Sequence, residues 1–367
     1  MKVKFSKYLI FFLLAFTTSC GEPETIVTDI VHSDGSITRR IEMRNAKNEF
    51  SISQIQVPYD STWVVRDSLE VNEKGDTTWL RKAEKFYSDI NELNAAYQSD
   101  SGANKEIERY AGLTKKFRWF YTEYRFNETI NKVFKFGYPV SDFLNEEELL
   151  WFYNEDKVGL MNQGFFKPIF NEGKIDSVKY NEMDSLVKAK TEEWSFRNII
   201  SEWSGTFSDQ IEHKGNGKLS IDSLKYKESI IYDLVLKNED SFEKLWDDGT
   251  ILKKFIGEEN AGKYKAEADS SLELVTEKML IDFSGYDLKI FMPGRMTGGN
   301  GYHDSSGCQI WSVKSDYFMT EPFIMYAESK ITNKWAWIIS CLFILFVASG
   351  IIFRKIKKGR ISSANFL

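Results

Sequence analysis

The residues best placed to do chemistry are few. The chain has 3 histidines, and only His303 keeps suggestive company, with Asp304 next to it and Cys308 five residues on. A thiolate beside an imidazole is a nucleophile–base pair, and Cys, His and Asp are donors that zinc accepts. A nucleophile also needs a lowered thiol pKa and an oxyanion site, and zinc needs further ligands at motif spacing. Neither is visible. Cys308, ahead of Gln309, Ile310 and Trp311, reads more simply as a small buried residue entering a strand. His303 and Cys308 are therefore the only candidates for chemistry, and no catalytic residue, metal ligand or cofactor is assigned.

Other patterns fall short for stated reasons. Gly298-Gly299-Asn300-Gly301 could cradle a phosphate, but phosphate loops run from a strand into a helix, and here a strand follows. The turn His213-Lys214-Gly215-Asn216-Gly217-Lys218 lacks the alternating acids of a calcium loop. Asp247-Asp248 and Glu258-Glu259 read as solvated helix ends.

The element that positions everything else is Trp335 to Phe353, nineteen residues without a charge. As a helix it rises about 28 Å, enough for a hydrocarbon core of roughly 30 Å. Trp335 and Trp337 mark one headgroup layer; Arg354, Lys355, Lys357, Lys358 and Arg360 mark the other. Positive charge stays on the cytoplasmic side, so the tail 354–367 is expected inside and everything before Trp335 outside. At the other end, Lys2, Lys4 and Lys7 precede an apolar run, Tyr8 to Phe16, too short to span. Thr17-Thr18-Ser19-Cys20-Gly21 follows and resembles a bacterial lipobox, with Ser19 at the small position before a lipidated Cys20 and Thr17 where Leu is usual. Gly21 to Glu24 reach about 14 Å when extended. With both tethers on one bilayer face, the two ends of the fold are expected to point down, and first and last strands, if neighbours, to pair antiparallel.

Leader and tail hold eight cations and no acids, which leaves 40 Lys and Arg against 54 Asp and Glu between them, a net charge of −14. Such a body repels nucleic acid and anionic headgroups, and no nucleic-acid partner is expected. Of the 3 cysteines only Cys308 belongs to this body, so it holds no internal disulfide.

Strand patterns open the chain. Thr25–His32 and Ile37–Met43 flank an Asp34-Gly35 hairpin signal, and Thr62–Glu70 and Thr77–Lys85 flank a second turn. Phe86, Ile90, Leu93 and Tyr97 share a helix face. Lys115 to Ile130 is the most aromatic stretch and reads as a strand covered on both sides, its rings packed in a core, or as a stacking platform. From Ser141 to about Ala268 the pattern is helical. Ser271–Phe283, Asp287–Met292, Gly307–Val313 and Pro322–Ser329 return to strand, with Pro293–Ser306 as a long flexible connection.

Phe117-Arg118-Trp119-Phe120-Tyr121-Thr122 with Glu128-Thr129 resembles uncharacterised envelope lipoproteins of the Bacteroidetes type. Asp287-Leu288-Lys289-Ile290-Phe291-Met292-Pro293-Gly294, then Asn300-Gly301, Trp311 and Ala327-Glu328-Ser329, resembles the ending of such proteins ahead of a C-terminal single transmembrane span. The resemblance implies no activity and no catalytic residue.

The expectation is an α+β fold, with a mixed or antiparallel sheet from N- and C-terminal strands, a central helical insertion and one C-terminal transmembrane helix. Residues 1–20 would be a lipoprotein-type signal peptide, 21–334 an extracytoplasmic domain with 141–268 inserted, and 335–353 the span. The site is the cell membrane (the inner one in a Gram-negative cell). A non-enzymatic envelope lipoprotein recognising or scaffolding an envelope protein partner is the first reading. A periplasmic hydrolase or thiol enzyme centred on His303 and Cys308, and a lipid or apolar-ligand module using the aromatic residues of 117–126, are the alternatives.

Overall fold

Asp34 makes the first hairpin turn by accepting from the Ser36 amide at 3.0 Å and its hydroxyl at 2.7 Å, while Gly35 takes a φ of +106° that a side chain would resist. The turn joins β1 (Thr25–Val31) to β2 (Ile37–Asn45), whose alternating burial puts one face of each inward. The computed structural model describes residues 25–364 apart from 51–54, 72–74, 76, 101–104, 156–168, 172–173, 215–220, 238–241, 280–282, 284 and 305. The leader, Cys20 and the side chains of Lys357 and Lys358 lie outside the described residues.

The remaining elements are β3 (Val64–Val71), β4 (Thr77–Tyr87), α1 (Ile90–Gln98), β5 (Arg109–Phe117), β6 (Tyr121–Ile130) and α2 (Glu146–Phe152). A two-residue ladder, β7 (Phe170–Asn171) with β8 (Lys174–Ile175), precedes α3 (Ser177–His213) and α4 (Ile221–Lys237). Then come α5 (Phe242–Asp247), α6 (Thr250–Ile256), α7 (Glu258–Lys263), α8 (Lys265–Met279) and β9 (Tyr286–Phe291). β10 (Arg295–Gly299), β11 (Tyr302–His303), β12 (Gln309–Val313), β13 (Phe323–Thr332) and α9 (Lys334–Ala364) complete the chain.

The strands build a mixed seven-stranded sheet, ordered β11-β12-β9-β1-β2-β4-β3, and a four-stranded sheet, β10-β13-β6-β5. This is the expected α+β class, with N- and C-terminal strands sharing each sheet. β1 pairs parallel with β9 and antiparallel with β2. Val27, Val31, Ile37, Ile41 and Leu288 of the large sheet face Tyr124, Phe126, Ile130 and Met325 of the small one in a single core.

Three contacts between the sheets fix the direction of β1. Arg109, at the start of β5, reaches the Tyr286 hydroxyl at 3.2 Å, and the residue after Tyr286 pairs with Ile26. Arg39, opposite Asp29, meets Glu128, two residues before the end of β6. The Ser33 carbonyl, in the turn after β1, accepts from Lys115 and Tyr124, near the β5–β6 connection. So β1 runs in the same sense as β5 and β13, toward that connection. The opening and closing strands lie in different sheets, and the chain enters β1 at one end of the sandwich and leaves β13 at the other. The two ends are separated by the ten residues of β13, about 30 Å. The sequence reading had both pointing down; sheet pairing, not tether geometry, decides the matter.

Two segments read as extended or loose are neither. Ser271–Phe283 is mostly the end of α8, because Ala268, Ser271, Leu272 and Val275 are buried at helical spacing. The glycine-rich Pro293–Ser306 carries β10 in one sheet and β11 in the other. Its glycines allow a tight crossing: a Cβ on Gly299 would lie 2.7 Å from Gln309 Cδ, and one on Gly301 2.5 Å from Trp311 Cε2.

The helices form a second core around Ile200, Trp203, Phe207, Leu252 and Phe255. The 37 residues of α3, about 55 Å long, join the two cores: Val187 and Trp194 belong to the sandwich core, Ile200 to Ile211 to the helical one. The segment Phe134–Tyr138, just after β6, is clasped by α3. The Phe136 amide donates to Glu202 at 2.9 Å, Ser201 donates to the Phe136 carbonyl at 3.0 Å, and the Tyr138 amide bonds the Asn198 side chain. The chain leaves for the helices after Ile130 and returns at Tyr286, both at the end far from the β5–β6 connection.

Candidate functional site

The β5–β6 connection is where the aromatic stretch proves different from its expected role. Tyr124 and Phe126 are in the core, but Phe117, Trp119 and Phe120 are 58%, 47% and 38% exposed. Alternation places only every second residue inward. The tip instead packs on the start of α9. Phe117 lies nearly parallel to Trp335 at 6.3 Å, Trp119 meets Trp335 edge-on at 5.2 Å, and Phe120 meets Trp337 at 4.4 Å.

Polar bonds lock this joint. The Asn333 side chain donates to the Arg118 carbonyl at 2.7 Å, its amide donates to the Phe120 carbonyl at 2.9 Å, and its Oδ1 accepts from Thr122 at 3.1 Å. The Trp119 indole N–H donates to Ser340 Oγ at 2.9 Å. Ser340 is six residues past Lys334, about 9 Å down the helix. The segment Lys334–Lys355 holds an 18-residue stretch with a mean hydropathy of 2.5 and is long and apolar enough to cross a membrane. Trp335 and Trp337 lie at the start of that segment and Arg354 and Lys355 at its end. Near the tip Arg118 pairs with Glu123 at 3.4 Å, and Lys115 donates to the Ser33 carbonyl at 2.7 Å.

His303 and Cys308 do not make a reactive pair. Cys308 is fully buried, and its thiol donates to Asp304 Oδ1 at 3.3 Å, the oxygen that also accepts from the Ser306 hydroxyl at 2.6 Å. Burial pushes the thiol pKa up, Ser306 lowers it and Asp304 raises it, which keeps the thiol protonated where a nucleophile needs thiolate. Against the effect of burial, the hydrogen bonds from Ser306 and Cys308 hold Asp304 below the usual carboxylate range. The trio closes the turn before β12. Among the described residues no hydrogen bond joins His303 to Cys308 and no cluster of metal-ligating side chains occurs. His32 bonds Thr38 at 2.9 Å within its hairpin.

The sequence reading missed a buried ionic cluster between the sheets. Arg39 grips Asp29 with Nε and Nη2, both at 2.7 Å, and donates to Glu128 at 2.9 Å and to the Tyr97 hydroxyl at 2.5 Å. The Arg39, Asp29 and Glu128 side chains are all 0% exposed. Burial alone would lower the Arg39 pKa, but Asp29, Tyr97 and Glu128 hold it above the usual arginine range. Glu128 Oε1 and Arg109 Nη2 are buried without a partner. The available signal was parity: Asp29 and Arg39 occupy inward positions of otherwise apolar alternations.

A cleft of about 550 Å³ opens at the far end of the sandwich, lined by Glu108, Asn131, Lys132, Thr320, Glu321 and others. Its place at the end far from α9 does not match an apolar-ligand pocket near a bilayer.

No family model matches the chain, and no curated protein matches its sequence. Among solved structures it is similar to the NMR structure of the folded domain of the LppM protein of Mycobacterium tuberculosis, with 7% identity and a TM-score of 0.25, over 85% of this chain and 92% of that one. A likeness of that size carries no argument about fold or function.

Proposed function

We propose that this chain is a membrane-anchored envelope lipoprotein, non-enzymatic, in which the sandwich is a stem between an aromatic foot on the bilayer and a helical head that binds another envelope protein. The carrying observation is the joint between Trp119 and Ser340, which fixes the stem to the apolar helix rather than leaving it on a loose tether. Aromatic side chains at headgroup depth and basic residues beyond the span favour a single crossing with the tail 354–367 in the cytoplasm and the body outside. The lipobox-like Thr17–Gly21 and the residue pattern of Bacteroidetes-type envelope lipoproteins support the same reading.

On the head, Ile230 of α4 and Leu274 of α8 are 43% and 44% exposed. Photo-crosslinking in intact cells from residues 230 and 274 of the full chain tests the reading. A discrete adduct with another envelope protein is expected there, whereas residue 119 should link to lipid. Head positions that give no adduct, with residue 119 linking to protein, would overturn it.

A further inference from the structure

Most sheet edges in this molecule are blunted. β11 is two residues long. β10 is broken by a register shift between Met296 and Gly298. The free side of β5 is clipped by Asn94, which donates to the Ala111 carbonyl at 2.8 Å and accepts from its amide at 2.7 Å. Short strands, bulges and covering side chains are the usual means of preventing edge-to-edge pairing.

β3 has none of these. It pairs with β4 over eight residues, Val64 to Val71, without a shift, and its other side is an edge of the large sheet. It contains no proline, and Val64, Val65, Leu69 and Val71 are between 41% and 63% exposed. Such a strand is a template for another strand.

We infer that β3 pairs antiparallel with β3 of a second copy, centred on Ser68, so that the large sheet runs on through a two-fold axis. The side chains select the register. With Ser68 facing Ser68 of the second copy, Arg66 faces the second copy's Glu70, Val65 faces its Val71, and Asp67, already held by Arg81 on β4, faces its Leu69, each pair occurring twice. Centring on Asp67 would oppose two carboxylates, and centring between Asp67 and Ser68 would set Arg66 against Leu69 and Val65 against Glu70. Arg66 already has Lys82 as its neighbour on β4, so an acid on its free side is the favourable choice.

The membrane geometry permits this dimer. β3 lies three strands from β1, and sheets turn by about 20–25° per strand, so the sheet has rotated by roughly 60–75° there. Its local normal, along which the two-fold runs, then points close to the direction of β1, toward the foot. Both copies of α9 therefore face the same side.

The test uses the full chain in mild detergent, with Cys341→Ser to silence the exposed thiol in α9. Directly opposed antiparallel residues have Cα atoms about 4.5–5.5 Å apart, within reach of a disulfide. Ser68→Cys should therefore link two chains under mild oxidation, with the linked 68–68 peptide found by mass mapping. Arg66→Glu should weaken the dimer about tenfold or more, and adding Glu70→Arg should restore it. A wild-type chain that is monomeric by mass at the highest attainable concentration overturns the inference. So do a Ser68→Cys chain that stays unlinked and a dimer indifferent to Arg66→Glu.

Discussion

Replacing Arg39 by Met gives the sharpest test of what holds the two sheets together. Arg39 reaches both sheets, bonding Asp29 on β1 and Glu128 on β6, and all three side chains are out of contact with water. Without the guanidinium, two carboxylates stay buried with no cation between them, and removing one partner of a buried ionic pair costs about 3–5 kcal/mol. That is a large share of the roughly 5–15 kcal/mol that holds a typical domain folded. At about 2–4 °C per kcal/mol the melting temperature should fall by roughly 6–20 °C, read by circular dichroism of the detergent-solubilised chain. A companion replaces the whole cluster with apolar residues: Asp29→Leu, Arg39→Met, Tyr97→Phe and Glu128→Leu. Because a buried cluster is about as stable as its apolar replacement, the companion should recover most of the loss. An Arg39→Met protein melting within about 2 °C of the wild type would refute the reasoning.

Three further outcomes are expected. Burial pushes the Tyr286 phenol up to about 12, with Arg109 pulling the other way, against about 10 in the unfolded chain. The folded state holds this proton more tightly, so the contribution to stability is whole below about pH 10 and is lost as the pH rises toward 12. Tyr286→Phe should flatten that alkaline limb in pH-dependent melts, and an unchanged limb would count against it. Gly205→Ala should cost about 1–3 kcal/mol and raise protease cleavage between residues 131 and 139, because the new Cβ would fall within the ring of Phe136. Native alkylation should leave Cys308 unmodified until denaturant is added, and labelling at the rate of an exposed thiol would show the turn before β12 to be open.

Local chemistry was legible wherever a turn or a period carried it. The Asp34-Gly35 hairpin, the strands around 287–292 and 322–329, and the apolar helix after Lys334 follow from side-chain preference over a few residues. What was not legible depended on partners distant in sequence. Asp29 and Arg39 look like errors in an alternating strand until Glu128, 89 residues from Arg39, completes their bonding. Leu272, Leu274 and Val275 suit a strand or a helix, and packing on α3 decides for the helix. Phe117, Trp119 and Phe120 resemble core residues because composition cannot distinguish a ring inside the sandwich from one half-exposed at its tip against Trp335 and Trp337. Cys308 beside His303 shows the converse case, in which sequence proximity suggested chemistry that the strand geometry does not provide.

The opposed ends of the sandwich set a limit on the molecule's posture. Thr25 starts near the helical head, about 30 Å of strand from the foot, whereas the four residues from Gly21 to Glu24 stretch about 14 Å. An acyl group on Cys20 can therefore enter the leaflet that α9 enters only if the two-sheet stem reclines until its long axis lies within about 30° of the surface. Upright, the same molecule would offer its fatty chains to a second sheet of lipid, and processing at Cys20 would act as a lever that lays it down or stands it up.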